Sequence, residues 1–142
     1  MKLIPEHGSC FVCGSQNSRG MGIRWYSKED GTIFGKITLD ESHQGPPGMS
    51  HGGATAALLD EAMGAVVWFN GHQAAAVNLN VDFKKPVPLG VEIEVISQLV
   101  EENEKVMHSK GEIRLPGGEI AVSAKGIFVL APQLYEELLT NS

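Results

Sequence analysis

The chain reads as an α+β fold: a curved antiparallel sheet of five to six strands wrapped around one long, buried central helix. Three observations predict it. From about Gly52 to Asn70 runs the one long helical stretch, rich in Ala, Leu and Met and free of Pro. Only Asp60 and Glu61 are charged on it, and a helix that is apolar all round belongs inside a fold. On both sides of it, apolar and polar residues alternate with period two, and the short breaks between these runs make most neighbours antiparallel.

Taken in order, residues 1–20 form an irregular lead-in with at most a short helical turn. Ile23-Arg24-Trp25-Tyr26 and Gly31–Leu39 are strand-like, the second because Ile33, Gly35, Ile37 and Leu39 alternate with Thr32, Phe34, Lys36 and Thr38. Glu29-Asp30-Gly31 between them is a hairpin turn signal. Asp40–Ser50 contains Gly45, Pro46, Pro47 and Gly48 and is a loop. The central helix follows, and Asn70-Gly71 ends it. Four strands complete the domain. Val77, Leu79, Val81 and Phe83 alternate with Asn78, Asn80 and Asp82, then Pro86–Gly90 breaks the pattern. Val91, Ile93 and Val95 alternate with Glu92 and Glu94, in a strand running toward Val100. Lys105–Leu115 and Glu119–Leu130 flank the hairpin loop Pro116-Gly117-Gly118, and Pro132–Leu139 suits a short terminal helix.

The 142 residues suit one domain, 1–142, with a single core. With 42% hydrophobic residues the chain is neither disordered nor membrane-spanning, since no apolar run approaches the ~20 residues a bilayer demands. The start, Met1-Lys2-Leu3-Ile4-Pro5-Glu6, has no apolar core of signal-peptide length, so a cytoplasmic location is expected. A net charge of −6 argues against nucleic acid as partner. It leaves room for an anionic small ligand at a local basic patch, for which Lys84 and Lys85 are the best candidates, with Arg19, Arg24 and Lys125 as additions. Solvated strand-end charge is the plain alternative for any one of them.

Cys10 and Cys13 form a C-x-x-C pair. A structural zinc usually takes four ligands, and no second such pair exists; His7 and a distant His are the only completion. A redox helix would want a strand before the pair and a helix after it, whereas Gly14, Asn17, Gly20 and Gly22 follow. Free thiols packed in an N-terminal turn are the expectation, with no metal.

The most informative stretch is His51-Gly52-Gly53-Ala54-Thr55-Ala56-Ala57-Leu58-Leu59-Asp60. A Gly pair opens the helix, and free N–H groups at a helix start attract an oxyanion. A carboxylate in an apolar helix can serve as base or nucleophile. Those are two parts of an acyl-cleaving site. Eight residues at ~1.5 Å rise place Gly52 and Asp60 roughly 12 Å apart on one helix, too far for one carbonyl to touch both. If both act on it, Asp60 comes from a second copy of the chain, and the motif predicts a dimer with composite sites. Gly53, Ala57, Asp60 and Gly64 share one helical face, which admits a close neighbour. The bland alternative is a Gly-Gly loop followed by a solvated Asp60-Glu61 step. No Gly-x-Ser-x-Gly occurs, so a Ser-His-Asp arrangement has no support.

Several pieces, in order, resemble the hotdog-fold thioesterase superfamily and its PaaI-like acyl-CoA thioesterase group over roughly residues 10–130. They are Cys10-Phe11-Val12-Cys13-Gly14 with Asn17 and Gly20-Met21-Gly22-Ile23, then His43-Gln44-Gly45, Pro47-Gly48 and His51-Gly52-Gly53. Asp60 falls nine residues after His51, and Lys85-Pro86-Val87-Pro88-Leu89-Gly90 resembles the family's strand exit. The resemblance implies hydrolysis of an acyl-CoA, or a related acyl thioester, to free acid and thiol, without a cofactor. It implies that Gly52 donates its N–H to the thioester oxygen, and that Asp60 of a partner subunit attacks the carbonyl or activates water. His51 fixes the helix entry, and Gln44 positions water or the carbonyl. Gly53, Lys84, Lys85 and Met63 join the substrate site, with Met63, Val66 and Val67 as tunnel wall or, equally, as core. A thiolate leaves readily, its thiol pKa being near ~8.5, so no strong general acid is needed.

The chain departs from the family where a Ser or Thr often starts the strand after the helix. Ala74-Ala75-Ala76 stands there, with Asn78 and Asn80 the nearest polar side chains. Glu61 is a second candidate acid, ~100° round the helix from Asp60. The other function class is a hotdog module that binds acyl-CoA as a sensor without turnover. A hydratase on the same fold wants its acid nearer the helix entry. The expected assembly is a homodimer or a homotetramer, two protomers joining sheet edges.

Overall fold

The computed structural model describes residues 2–5 and 8–134. Seven strands form one antiparallel sheet: β1 (Lys2–Leu3), β2 (Tyr26–Ser27), β3 (Ile33–Thr38), β4 (Ala74–Phe83), β5 (Glu92–Glu102), β6 (Val106–Arg114) and β7 (Ile120–Leu130). Their spatial order is β1-β2-β3-β5-β6-β7-β4, so β4 is a free edge. One long helix among the described residues, α1 (Gly52–Phe69), carries the chain from β3 across β5 and β6 to that edge. It is not long and apolar enough to cross a membrane.

The alternation seen in the sequence sets which sheet face α1 covers. Val95, Met107, Ile113, Val122 and Phe128 point to the helix and are buried, against Leu58, Leu59, Ala62, Met63, Val66 and Val67 of α1. Fully burying one such side chain stabilises by about 1.5–3 kcal/mol. Close approach needs glycine on the strands. A Cβ on Gly111 would lie 3.1 Å from Leu59, and one on Gly126 would lie 2.9 Å from Phe128 and 3.4 Å from Met63. The buried Ser97 hydroxyl donates to the Ala62 carbonyl at 2.6 Å and ties helix to sheet.

Three features differ from the sequence expectation. The sheet has seven strands rather than five to six, because the lead-in supplies β1, a two-residue strand too short to show any alternation. The strand expected over 23–26 lies instead at Tyr26–Ser27, since the Ile23 N–H is taken by Val12 of the lead-in. α1 is not buried on every side: Gly53 and Asp60 are exposed and Ala57 and Gly64 half-buried, an open stripe of small residues down one face. Of the helix expected over Pro132–Leu139, residues 132–134 are helical, and residues 135–139 lie outside the described residues.

Candidate active site at the helix entry

The loop between β3 and α1 is held by its own side chains. Asp40 accepts from the Ser42 N–H at 2.9 Å, and His43 Nδ1 accepts from the Asp40 N–H at 3.3 Å. Gln44 Oε1 accepts from the Gly48 N–H at 3.0 Å, where Gly48 takes a φ of +78° that other residues avoid. The Ser50 N–H reaches the Val87 carbonyl at 2.8 Å, and the His51 N–H reaches the His43 carbonyl at 2.7 Å. The helix therefore begins at a fixed place and angle.

Its first turn has four N–H groups without helical partners. His51 is the N-cap, and its Nδ1 accepts from the Gly53 N–H at 2.8 Å. The His51 carbonyl accepts from Ala54 at 2.9 Å and from Thr55 at 3.3 Å. Gly52 is left: among the described residues its N–H has no acceptor. Contact requires glycine at 53 and crowds a larger residue at 52. A Cβ on Gly53 would lie 2.9 Å from His51 Nδ1, and one on Gly52 would lie 3.3 Å from the Phe83 ring.

Gly52 opens into a cleft of ≈ 480 Å³, walled by Ser50, Thr55, Phe83, Lys84 and Lys85 among others. Lys85 forms an ion pair with Glu119. Lys84 has no acidic partner among the described residues and is exposed. Both backbone N–H groups bond to the Ala121 carbonyl, at 2.8 and 2.9 Å, which fixes where the two side chains leave the sheet.

Asp60 sits more than two turns along α1 from Gly52, on the open stripe. Although the residue is exposed in the single protomer, burial of the carboxyl raises its pKa above the ordinary 3.8, and the charge of Glu61 adds to the rise. A raised pKa makes a carboxylate a stronger base. Glu61 points elsewhere. Its Oε1 lies 3.3 Å from Cys13 Sγ and 3.5 Å from Cys10 Sγ, so the second candidate acid is turned toward the lead-in.

The remaining sequence candidates separate. Gln44 has its amide oxygen engaged in bracing the loop. Met63 is fully buried against Gly126 and is core. Asn78 and Asn80 pair in register with Ile127 and Lys125, on the sheet face turned away from α1, so this protomer does not bring them to Gly52. Lys125 shares that far face with Lys110. His7 lies outside the described residues. Sequence reasoning missed two residues at the cleft. Ser50 is 9% exposed and its hydroxyl has no partner. Phe83 ends the alternation of β4 and covers Gly52; extending that alternation to the Lys pair would have found it.

A model of the thioesterase superfamily matches residues 47–122, which hold the helix entry, Asp60, the Lys pair and most of the sheet. The acyl-coenzyme A thioesterase THEM4 of Bos taurus is 45% identical over 56 residues, 39% of this chain and 22% of that protein. The chain thus spans about a fifth of the length of that relative. Among solved structures, the thioesterase superfamily protein RHA08564 superposes with a TM-score of 0.83 and 30% identity, over 86% of this chain and 60% of that one. The E. coli PaaI protein from a phenylacetic acid degradation operon superposes with a TM-score of 0.73 and 20% identity, over 78% and 80% of the two chains. These likenesses give the sheet and central helix the hotdog fold.

Proposed function

This chain belongs to the thioesterase superfamily, and from that premise we propose that it hydrolyses an acyl-CoA to free acid and CoA thiol at a site shared by two protomers. The observation that carries the reading is the Gly52 N–H, the one donor of the first helical turn left unpaired among the described residues, at the wall of a cleft where Lys84 has no acidic partner among them. The thioester oxygen sits at that donor. Asp60 of the partner subunit takes a proton from water, and the oxygen of that water bonds to the carbonyl carbon. The carbonyl π pair moves onto oxygen, where the Gly52 N–H and the helix N-terminus hold it. Collapse re-forms the carbonyl, breaks the C–S bond and releases the thiolate, which takes the proton from Asp60 and leaves that carboxylate ready for the next turnover. Losing one such donor typically raises the barrier by about 3–4 kcal/mol.

The second protomer follows from two features. Gly52 and Asp60 are roughly 12 Å apart along one helix, so no single chain presents both to one carbonyl. β4 is a free sheet edge that exposes Val77, Leu79 and Phe83, which suits edge-to-edge pairing with the same strand of a copy. That pairing would set the open stripe of α1 against the copy.

Thiol release from a panel of acyl-CoAs, by wild type and Asp60→Asn, tests the proposal. Turnover that falls ~100-fold or more in Asp60→Asn supports it. Binding without turnover in wild type overturns it in favour of an acyl-CoA sensor, and turnover that survives the substitution removes Asp60 from the chemistry.

A further inference from the structure

Away from the cleft, the lead-in and the central helix meet through three side chains that the hydrolytic reading does not use. Cys10 and Cys13 lie on a loop closed by the Gly14 N–H, which donates to the Cys10 carbonyl at 3.0 Å, and by the Gln16 N–H, which donates to the Gly8 carbonyl at 3.1 Å. Gly14 is buried so tightly that a Cβ would lie 2.3 Å from the Cys10 nitrogen. The loop therefore has one shape, and it projects both thiols to the same side. Glu61 comes to them from α1, 48 residues beyond Cys13 and 51 beyond Cys10. All three donor atoms lie within 4.8 Å of one another.

The spacing is that of a coordination polyhedron. With zinc–sulfur bonds of ~2.3 Å and zinc–oxygen bonds of ~2.0 Å, a tetrahedron has sulfur–oxygen edges of roughly 3.5 Å and a sulfur–sulfur edge of roughly 3.8 Å. The two sulfur–oxygen separations here are 3.3 and 3.5 Å. Neither cysteine is in a disulfide, and with Cys13 buried and Cys10 half-buried the cluster is sheltered. We propose that Cys10, Cys13 and Glu61 bind a thiophilic divalent cation of the zinc class, clamping the N-terminal lead-in onto the central helix.

The donor set selects the ion. Two sulfurs and one carboxylate disfavour magnesium and calcium, which take oxygen, and favour zinc. Binding displaces one proton from each thiol to the buffer, and the two thiolates and the carboxylate supply three bonds to the ion. A fourth ligand completes the coordination sphere. The clamp is spatially distinct from the thioester site, because Glu61 leaves the helix ~100° round from Asp60, although its charge is felt by the Asp60 carboxyl. Its role is to anchor residues 8–14 where the sheet alone offers them little.

The test uses the full chain, purified without a histidine tag. Elemental analysis should find one zinc per chain. After chelation, one equivalent of Co²⁺ should restore an ultraviolet sulfur-to-cobalt charge-transfer band and the visible bands of tetrahedral cobalt, with about two protons released. Glu61→Gln preserves side-chain shape, and in a chain shown to be folded by circular dichroism it should weaken Zn²⁺ binding at least about tenfold. Cys10→Ser should lower the charge-transfer intensity. Zn²⁺ should raise the melting temperature of wild type and not of Glu61→Gln. The proposal is overturned if stoichiometric Co²⁺ gives no thiolate band. It is equally overturned if Glu61→Gln binds as tightly as wild type, or if Cys10 and Cys13 are isolated as a disulfide under reducing purification.

Discussion

The ring of His51 accepts the N–H of Gly53 at 2.8 Å, and this one bond decides which donor of the first turn stays free. With Ala54 and Thr55 served by the His51 carbonyl, only the Gly52 N–H remains for a ligand. In the proposed mechanism His51 therefore selects the oxyanion donor and is not the base, and a Cβ on Gly53 would collide with that ring at 2.9 Å.

Replacing Gly52 by Pro isolates that donor. Proline is well tolerated at the first helical position, and His51, at φ −65° and ψ 137°, already has the backbone a following proline wants. The substitution removes the N–H, and the contact its Cβ makes with Phe83 is the one an alanine makes. The expected result is a folded protein whose kcat falls about 100-fold or more, while Gly52→Ala, which retains the N–H and presses on the exposed Phe83 ring, loses far less. Equal losses in the two variants would make crowding the cause and remove the oxyanion role.

A composite site predicts complementation. Asp60→Asn and Gly52→Pro chains are each inactive as homodimers, but a mixed dimer holds one site with both parts intact. Full exchange of equal amounts should restore about a quarter of wild-type activity, since half the dimers are mixed and each has one good site. Steady-state turnover after subunit exchange measures it. No recovery, with exchange demonstrated by mass, places both groups in one protomer.

The raised pKa of Asp60 carries a stability consequence of fixed sign. Folding disfavours the ionised form, so its cost is absent below the ordinary pKa of 3.8 and sets in as pH rises above it. Asp60→Asn should therefore melt higher than wild type at pH 7, and the gap should narrow as pH is lowered toward 3.8. In wild type the same rise should put the acid limb of kcat/KM above the usual carboxylate range. Melting curves and initial rates across pH 4–8 read both; a variant less stable at neutral pH would mean that the carboxylate is stabilised by a partner instead.

The legible part of the molecule was the part written in period and punctuation. The helix from Gly52, the alternation of β4 through β7 and the Asn70-Gly71 stop all follow from local pattern, and the structure keeps them within a few residues. β1 escaped because two residues carry no period; only pairing with β2 defines it. The small-residue face of α1 was legible as well, but its openness was not: Gly53, Ala57 and Gly64 are small enough to read as buried, and only the placement of the sheet shows that the described residues leave that face partly open. Lys84 and Lys85 read alike in sequence, and Glu119, 34 residues on, separates them.

That separation gives the last prediction. Lys85 already neutralises Glu119, so its charge is committed. Lys84 lines the same cleft with no acidic partner among the described residues and is available to a phosphate of CoA. An exposed charge pair of this kind is worth roughly 0.2–1 kcal/mol and is screened by salt. Lys84→Ala should therefore raise KM for an acyl-CoA about two- to fivefold with kcat nearly unchanged, and the effect should fade in high salt. Lys85→Ala should do less to KM. A short N-acetylcysteamine thioester has no phosphate, and for it wild type and Lys84→Ala should be alike. A kcat loss common to both substrates would instead place Lys84 at the reacting carbonyl.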